Sequence, residues 1–135
     1  MTYDDAERLF YEGLYEQAFS AFKNITLQPQ SSLEDKAESL NMMGILVQYV
    51  PHLGRAGEES GIEFFKRSIA IWPHSIGSLC NVVETYGTEA SNHKDTEILL
   101  KAHNILLNEF RDEIPESTFI KIQKQKREID SNESR

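Results

Sequence analysis

Apolar residues recur at helical spacing along almost the whole chain, and strand-like alternation of apolar and polar residues is hard to find. The pattern therefore predicts helices joined by turns. They are expected at about 3–12, from Leu14 to Pro29, from the Ser31-Ser32 pair to near Pro51, from about Glu58 to Trp72, from Ser75 to Gly87, from Asp95 to Pro115, and from Glu116 to about Ile129.

Several of these boundaries have a capping or breaking residue. Thr2 and Asp95 can cap the helices that follow them, and Gly13 interrupts the first helix. The segment Ser31-Ser32-Leu33-Glu34 has the form of a capping box, in which a serine and a glutamate three residues later satisfy each other's backbone N–H groups.

The C-terminal segment is predicted to be an amphipathic helix, with Phe119, Ile122, Lys126 and Ile129 on one face. The polar tail 130–135 has no apolar residue to offset its ordering entropy, so we expect it to be frayed. The prediction is one domain over residues 1–129 and a frayed tail.

Composition and charge favour a protein partner over nucleic acid. With 135 residues and 39% hydrophobic content, the chain can build one core. Its net charge is -8, and residues 1–64 carry 11 acidic and 4 basic side chains, a net of -7. Phosphate backbones are repelled by such a surface, whereas a basic partner is attracted.

The sequence also predicts a cytoplasmic protein without a membrane span. Cys80 is the single cysteine, so no internal disulfide can form, and the N-terminus lacks the basic start and apolar run of a signal peptide. The best apolar stretch, Met42 to Val50, is far shorter than the roughly 20 residues that a spanning helix needs.

Helix pairs repeat along the chain. The first helix of the second pair and that of the third share one spacing: Leu40, Met43, Gly44 and Val47 against Leu79, Val82, Val83 and Tyr86. The second helices of the first two pairs also share one: Ala18, Phe22 and Ile25 against Gly61, Phe65 and Ser68. Small residues let two helices cross closely, and an aromatic ring fills the wedge beside the crossing.

This pattern resembles the tetratricopeptide repeat. The resemblance covers roughly residues 2–115 and implies an all-α fold, a short right-handed α-solenoid of three antiparallel helix pairs with a terminal capping helix. Asp5, Val83 and Glu109 depart from the family pattern, and an irregular helical bundle is the alternative. If Gly44 lies at a close crossing, we expect Gly44→Leu to be destabilising and Gly44→Ala to be mild.

Residues capable of catalysis or metal binding do not converge in the sequence. The closest approach to a metal site is His93 with Asp95 and Glu97, which helix capping explains as well. Cys80 has no histidine fixed near it, and phosphate-binding glycine motifs are absent. We expect no cofactor, no metal and no enzyme; a hydrolase using Glu84 or His103 is the least favoured reading.

The resemblance also implies where a partner binds, because the first helices of successive tetratricopeptide pairs line a concave groove. The expected binding residues are Tyr3, Glu7, Tyr11, Glu38, Asn41, Met42, Ile45, Tyr49, Asn81 and Glu84. Asp4, Phe10, Gln48 and Cys80 are expected beside them. Such a groove is acidic and aromatic, which suits a basic or amphipathic peptide.

Some members of the family hold a partner's C-terminal carboxylate with lysines, asparagines and an arginine. Tyr3, Glu7, Met42, Gly77 and Asn81 occupy the matching positions here, so that clamp is not expected. The leading hypothesis is an interaction adaptor. The alternative is a dedicated inhibitor or escort of one basic protein, such as a toxin-immunity protein or a secretion chaperone.

Overall fold

The computed structural model describes residues 1–54, 60–86 and 93–133, and for 93–95 and 132–133 the backbone only. Within these residues the regular structure is helical, which confirms the predicted fold class. The helices are α1 (Tyr3–Tyr11), α2 (Tyr15–Leu27), α3 (Leu33–Tyr49), α4 (Gly61–Ile71), α5 (Ile76–Thr85), α6 (His93–Glu109) and α7 (Glu116–Glu133), with a short 3₁₀ turn at Pro51–Leu53 after α3.

The N-terminal caps form from local side chains. At α1 the Asp5 N–H donates to Thr2 Oγ1 at 3.2 Å, and the Thr2 N–H donates to Asp5 Oδ2 at 3.1 Å. This reciprocal capping box confirms Thr2 as the cap and explains why a carboxylate stands at Asp5. The box predicted at Ser31 and Glu34 is wrong by one position, because Ser32 takes the extended backbone and accepts from the Asp35 N–H at 3.0 Å.

Other boundaries differ modestly from the prediction. Helix α6 begins at His93, so Asp95 lies in its first turn instead of preceding it. Helix α7 continues to Glu133, past the predicted end near Ile129, and residues 134–135 of the predicted tail lie outside the described part of the chain. The predicted start of the fourth helix at Glu58 also lies outside it.

The helices stack in chain order. Each helix from α1 to α6 packs against the next one, while α3 also packs against α5, and α5 against α7. Helices α3 and α5 therefore lie side by side, and so do α5 and α7, as in a solenoid. The apolar residues form a core with an N-terminal part around Phe22, Leu46 and Phe64 and a C-terminal part around Phe65 and Leu79.

Helices α3 and α4 cross closely at Gly44 and Gly61. A Cβ atom added at Gly44 would lie 2.5 Å from Phe65 Cε1 and 3.0 Å from the Gly61 carbonyl oxygen. The Phe65 ring is fully buried and cannot swing aside. The small residues predicted for this crossing are therefore where the repeat pattern placed them, and even an alanine at position 44 is too large, contrary to the expectation of a mild effect.

Two buried serines on α3 and α4 differ in their hydrogen bonding. Ser68 Oγ donates to the Ala37 carbonyl oxygen at 2.7 Å and lies 2.6 Å from Ser78 Oγ, so it connects α3, α4 and α5. Among the described residues, Ser39 Oγ is buried with no hydrogen-bond partner. A buried hydroxyl without a partner destabilises the fold, whereas a paired one supports it.

We therefore expect Ser39→Ala and Ser68→Ala to change stability in opposite directions. Ser39→Ala removes an unsatisfied group and gains helix propensity, so the free energy of unfolding should stay level or rise by up to about 1 kcal/mol. Ser68→Ala removes a hydrogen-bond partner of Ser78 and of the Ala37 carbonyl oxygen. This change should lower the free energy of unfolding by about 1–3 kcal/mol. Urea unfolding monitored by circular dichroism measures both variants. Equal changes in the free energy of unfolding would contradict the prediction.

Candidate functional site

The residues predicted to bind a partner belong to α1, α3 and α5, the first helices of the three pairs, which form the predicted binding face. On α1, Tyr3 and Glu7 are half-buried, and the Tyr3 ring packs against the Phe22 ring with centroids 5.5 Å apart. Tyr11, the last residue of α1, is exposed. This end of the face therefore offers one half-buried ring and one exposed ring.

The electrostatics of Tyr3 show which carboxylates converge on this face. Burial raises the pKa of the Tyr3 phenol above its ordinary value, and the nearby carboxylates of Glu7, Glu38 and Asp35 raise it further, together with Tyr11. The phenol consequently stays protonated and can donate a hydrogen bond. The structure thus brings together Tyr3, Glu7, Tyr11 and Glu38, all of which the sequence assigned to the binding face.

Not every predicted residue is available on that face. Asn41 and Met42 are buried, and Met42 belongs to the N-terminal part of the core. Ile45 is half-buried and packs against both parts of the core. A helical pattern alone places these residues near the groove, but it does not tell which of them points inward.

Polar side chains connect α3 to α5 across the face. Asn81 Nδ2 donates to Asn41 Oδ1 at 2.8 Å, and Ser75 Oγ donates to Glu38 Oε1 at 2.6 Å. A third bond joins Gln48 Nε2 to Thr85 Oγ1 at 2.9 Å. Asn41, Asn81 and Glu38 therefore hold helices together, a role that sequence spacing did not reveal because the partners are 37 to 40 residues apart.

The terminal helix closes the far end of the same face. Lys121 Nζ on α7 lies 2.9 Å from Glu84 Oε2 on α5, so the predicted binding residue Glu84 is paired within the chain. Both side chains are partly exposed, and such a pair contributes little to stability. The exposed rings of the predicted binding residues, Tyr11 and Tyr49, lie instead on α1 and α3.

Comparison of the chain with protein families, with curated proteins and with solved structures finds no match. The site must therefore be interpreted from its own geometry.

One group of aromatic residues includes a member that the sequence analysis did not assign to a site. The rings of Phe10 and Tyr11 lie 5.3 Å apart, Phe10 and Tyr15 5.8 Å, and Tyr15 and Tyr49 6.5 Å. We call the three exposed members, Tyr11, Tyr15 and Tyr49, the tyrosine cluster. The sequence pattern did not single out Tyr15; its position two residues beyond the turn at Gly13 was the available signal that it is exposed.

Candidate chemistry elsewhere is sparse in the described part of the chain. Burial, with a smaller effect of Glu84, raises the pKa of the Cys80 thiol, which disfavours the nucleophilic thiolate. Across residues 1–54, 60–86 and 93–133, no group of three or more histidine, cysteine or acidic side chains is placed to hold a metal ion. In the same residues, no helix has the length and apolar character needed to cross a membrane.

A pocket of about 290 Å³ lies between α2, α3 and α4. Its lining includes Phe19, Lys23, Met43 and Arg67. Two of the side chains that line it, Lys23 and Arg67, are basic.

Proposed function

We propose that this chain is a non-catalytic binding module of the tetratricopeptide-repeat type that holds a basic or amphipathic segment of another protein against the face of α1 and α3. The observation that carries the proposal is a combination: the carboxylates of Glu7, Glu38 and Asp35 act on the Tyr3 phenol, and the rings of Tyr11 and Tyr49 are exposed at the C-terminal ends of α1 and α3. Acidic groups beside exposed aromatics are typical of surfaces that attract and then anchor a basic partner.

The packing at the helix crossings supports the repeat type. Ala6 and Ala18 are fully buried beside Phe22 in the first pair, and Gly44 contacts Gly61 beside Phe65 in the second. Both pairs thus combine small residues with one buried ring. The side-by-side first helices would then form the binding face, as they do in the family that the sequence resembles.

The charge distribution supports a basic partner. Residues 1–64, which include α1 and α3, carry a net charge of -7 from 11 acidic and 4 basic side chains. Opposite charges accelerate the encounter of two proteins, and the effect falls as salt screens them. A cytoplasmic site of action is part of the proposal, since the single Cys80 has a thiol that cannot form an internal disulfide.

The first test concerns association. Glu7→Lys reverses a charge on the face, and the Glu7 carboxylate makes no hydrogen bond within the described part of the chain. The variant should lower the on-rate for a basic partner by about threefold to tenfold at low salt and weaken the salt dependence of that rate. Glu38 is a poorer choice because its carboxylate accepts from Ser75. Partners recovered by affinity capture would be measured by surface plasmon resonance at low and moderate salt.

The matched control for charge is Glu113→Lys, an exposed glutamate in the connection between α6 and α7. It makes the same change in net charge at the other end of the stack and should leave the on-rate nearly unchanged. Equal effects of both variants would mean that only overall charge matters. A loss of binding with Lys23→Glu, and none with Glu7→Lys, would place the partner on the pocket side and reject the proposal.

The second test concerns dissociation. Tyr49→Ala removes an exposed ring from the end of α3 and should raise the off-rate about tenfold, the effect of losing an interface anchor of roughly 1–2 kcal/mol, with little change in the on-rate. Thermal unfolding of the variant should match that of the parent chain because the ring is largely in solvent.

Capture of one stoichiometric basic protein would favour the inhibitor or escort role; capture of many segments would favour an adaptor.

A further inference from the structure

The tyrosine cluster combines exposure with mutual contact. Tyr11, Tyr15 and Tyr49 are 75%, 37% and 67% exposed, although Tyr15 and Tyr49 come from different helix pairs and their rings meet at an angle of 32°. Phe10 lies behind them and contacts both Tyr11 and Tyr15. The cluster therefore exposes several tyrosine rings to solvent, while the contacts with Phe10 hold two of them in place.

The ends of two helices meet the cluster. Tyr11 is the last residue of α1 and Tyr49 the last residue of α3, so the partial negative charge of both C-termini lies beside these rings. No basic residue occupies the last turn of α3, and Arg8 in the last turn of α1 lies near Asp5, whose pKa is lowered mainly by Thr2 and also by Arg8. The backbone itself thus favours a cation here.

The remaining charges near the cluster are mostly acidic. Glu12 caps the end of α1, and Glu16 lies in the first turn of α2, where it offsets the positive end of that helix. Glu16 Oε1 also lies 3.3 Å from His52 Nε2. The neighbourhood therefore contains carboxylates and helix C-termini around electron-rich ring faces, a combination that attracts cations and repels anions.

We propose that the tyrosine cluster is a binding site for the guanidinium group of an arginine in the partner segment, which stacks on the exposed rings while Glu12 and Glu16 lie close to its charge. This rests on the proposed function and specifies what the basic segment must contain. Arginine suits the site better than lysine, because its planar, weakly hydrated group stacks on aromatic faces.

The experiment uses the full chain and a short peptide of alternating arginine and glycine, compared with the same peptide in which citrulline replaces arginine. Citrulline keeps the planar shape but carries no charge. Binding is followed by NMR of the tyrosine ring resonances, with half-buried Tyr86 as an internal reference. We expect the arginine peptide to shift the resonances of Tyr11, Tyr15 and Tyr49, and the citrulline peptide to bind at least about fivefold more weakly.

A variant with Tyr11→Leu and Tyr49→Leu tests the ring faces. Leucine keeps an apolar surface but has no π system, and both positions are exposed enough for the fold to survive. The variant should bind the arginine peptide about fivefold or more weakly than the parent chain. Equal binding by the variant, or equal affinity for the arginine and citrulline peptides, would overturn the inference.

Two further outcomes separate this inference from the proposed function. If a captured partner depends on Glu7 but not on its arginines, the face binds a basic protein and the tyrosine cluster is not its arginine site. If the ring resonances move with protein concentration and not with peptide, a second copy of the chain covers the cluster, which also overturns the inference.

Discussion

Gly44→Leu is expected to be among the most damaging single changes in this protein, lowering the free energy of unfolding by about 3 kcal/mol or more. The first added carbon already meets the Phe65 ring at 2.5 Å and the Gly61 carbonyl oxygen at 3.0 Å. A leucine must therefore push α3 and α4 apart at their closest crossing. Gly44→Ala gains about 1 kcal/mol of helix propensity, but the same contacts should leave it destabilised overall.

Urea unfolding at constant temperature measures both variants. Ala70→Leu is the control, because Ala70 is exposed on α4 and leucine there adds bulk on an open side of the same helix pair. It should change the midpoint little. If Gly44→Leu behaves like Ala70→Leu, the close crossing does not exist and the repeat register is wrong.

A loss of stability in mild acid is expected from His103. This residue of α6 is fully buried, and its Nε2 lies 2.8 Å from Gln125 Oε1 on α7. Gln125 Nε2 donates to the Val83 carbonyl oxygen on α5 at 2.9 Å, which orients the amide so that its oxygen faces the histidine. Nε2 must therefore carry the hydrogen, and Nδ1 is left as a buried lone pair with no partner among the described residues.

Protonation of His103 would place a charged N–H in the core without an acceptor. Burial has the largest effect and lowers the pKa of His103 below its ordinary value. The hydrogen bond to Gln125 raises the pKa by less than burial lowers it, and Lys126 adds a still smaller lowering effect. The Glu84–Lys121 pair joins α5 and α7, the two helices that the bond from Gln125 to the Val83 carbonyl oxygen also joins. Because the folded pKa is lower than the unfolded one, stability is complete above about pH 6.5 and falls as pH decreases below it.

The fall due to His103 should approach, at most, about 1.4 kcal/mol for each pH unit until the folded pKa is reached. The free energy of unfolding would be measured at several values between about pH 8 and pH 5. His103→Gln does not titrate and can still donate to Gln125, so it should be less stable than the parent chain at pH 8 but show a shallower fall toward pH 5. Identical slopes in both chains would reject a buried neutral histidine.

The sequence allowed the helices and the main crossing to be predicted because both depend on local spacing. Gly44 stands at a small-residue position of one helix, and Gly61 and Phe65 stand four residues apart in the next. Thr2 caps α1 from within its own turn. The cap of α3 was misplaced because adjacent serines, Ser31 and Ser32, both fit the rule. Which of the two serines adopts the extended backbone conformation of an N-cap depends on the conformation of the preceding turn. That conformation is not determined by the local sequence alone.

The candidate site was predictable only in part, for a similar reason. Tyr3, Glu7 and Tyr11 share one face of a single helix, so their grouping follows from helical geometry. The pairing of Asn41 with Asn81 and of Glu84 with Lys121 depends on how separate helices are aligned. The contact of Tyr15 with Tyr49 depends on the same alignment, and the periodicity of one helix carries no information about it.

The bonds between α3, α5 and α7 have a consequence for the mechanics of the stack. Apolar surfaces can slide over one another at small cost, whereas a hydrogen bond requires its two groups to stay at a fixed distance. Such contacts join α3 to α5 through Asn41–Asn81 and Gln48–Thr85, and α5 to α7 through Glu84–Lys121. These three bonds set the arrangement of α3, α5 and α7 and do not involve α1. If a partner binds as proposed, we expect this part of the stack not to bend, so the entropy lost there would come mainly from the partner.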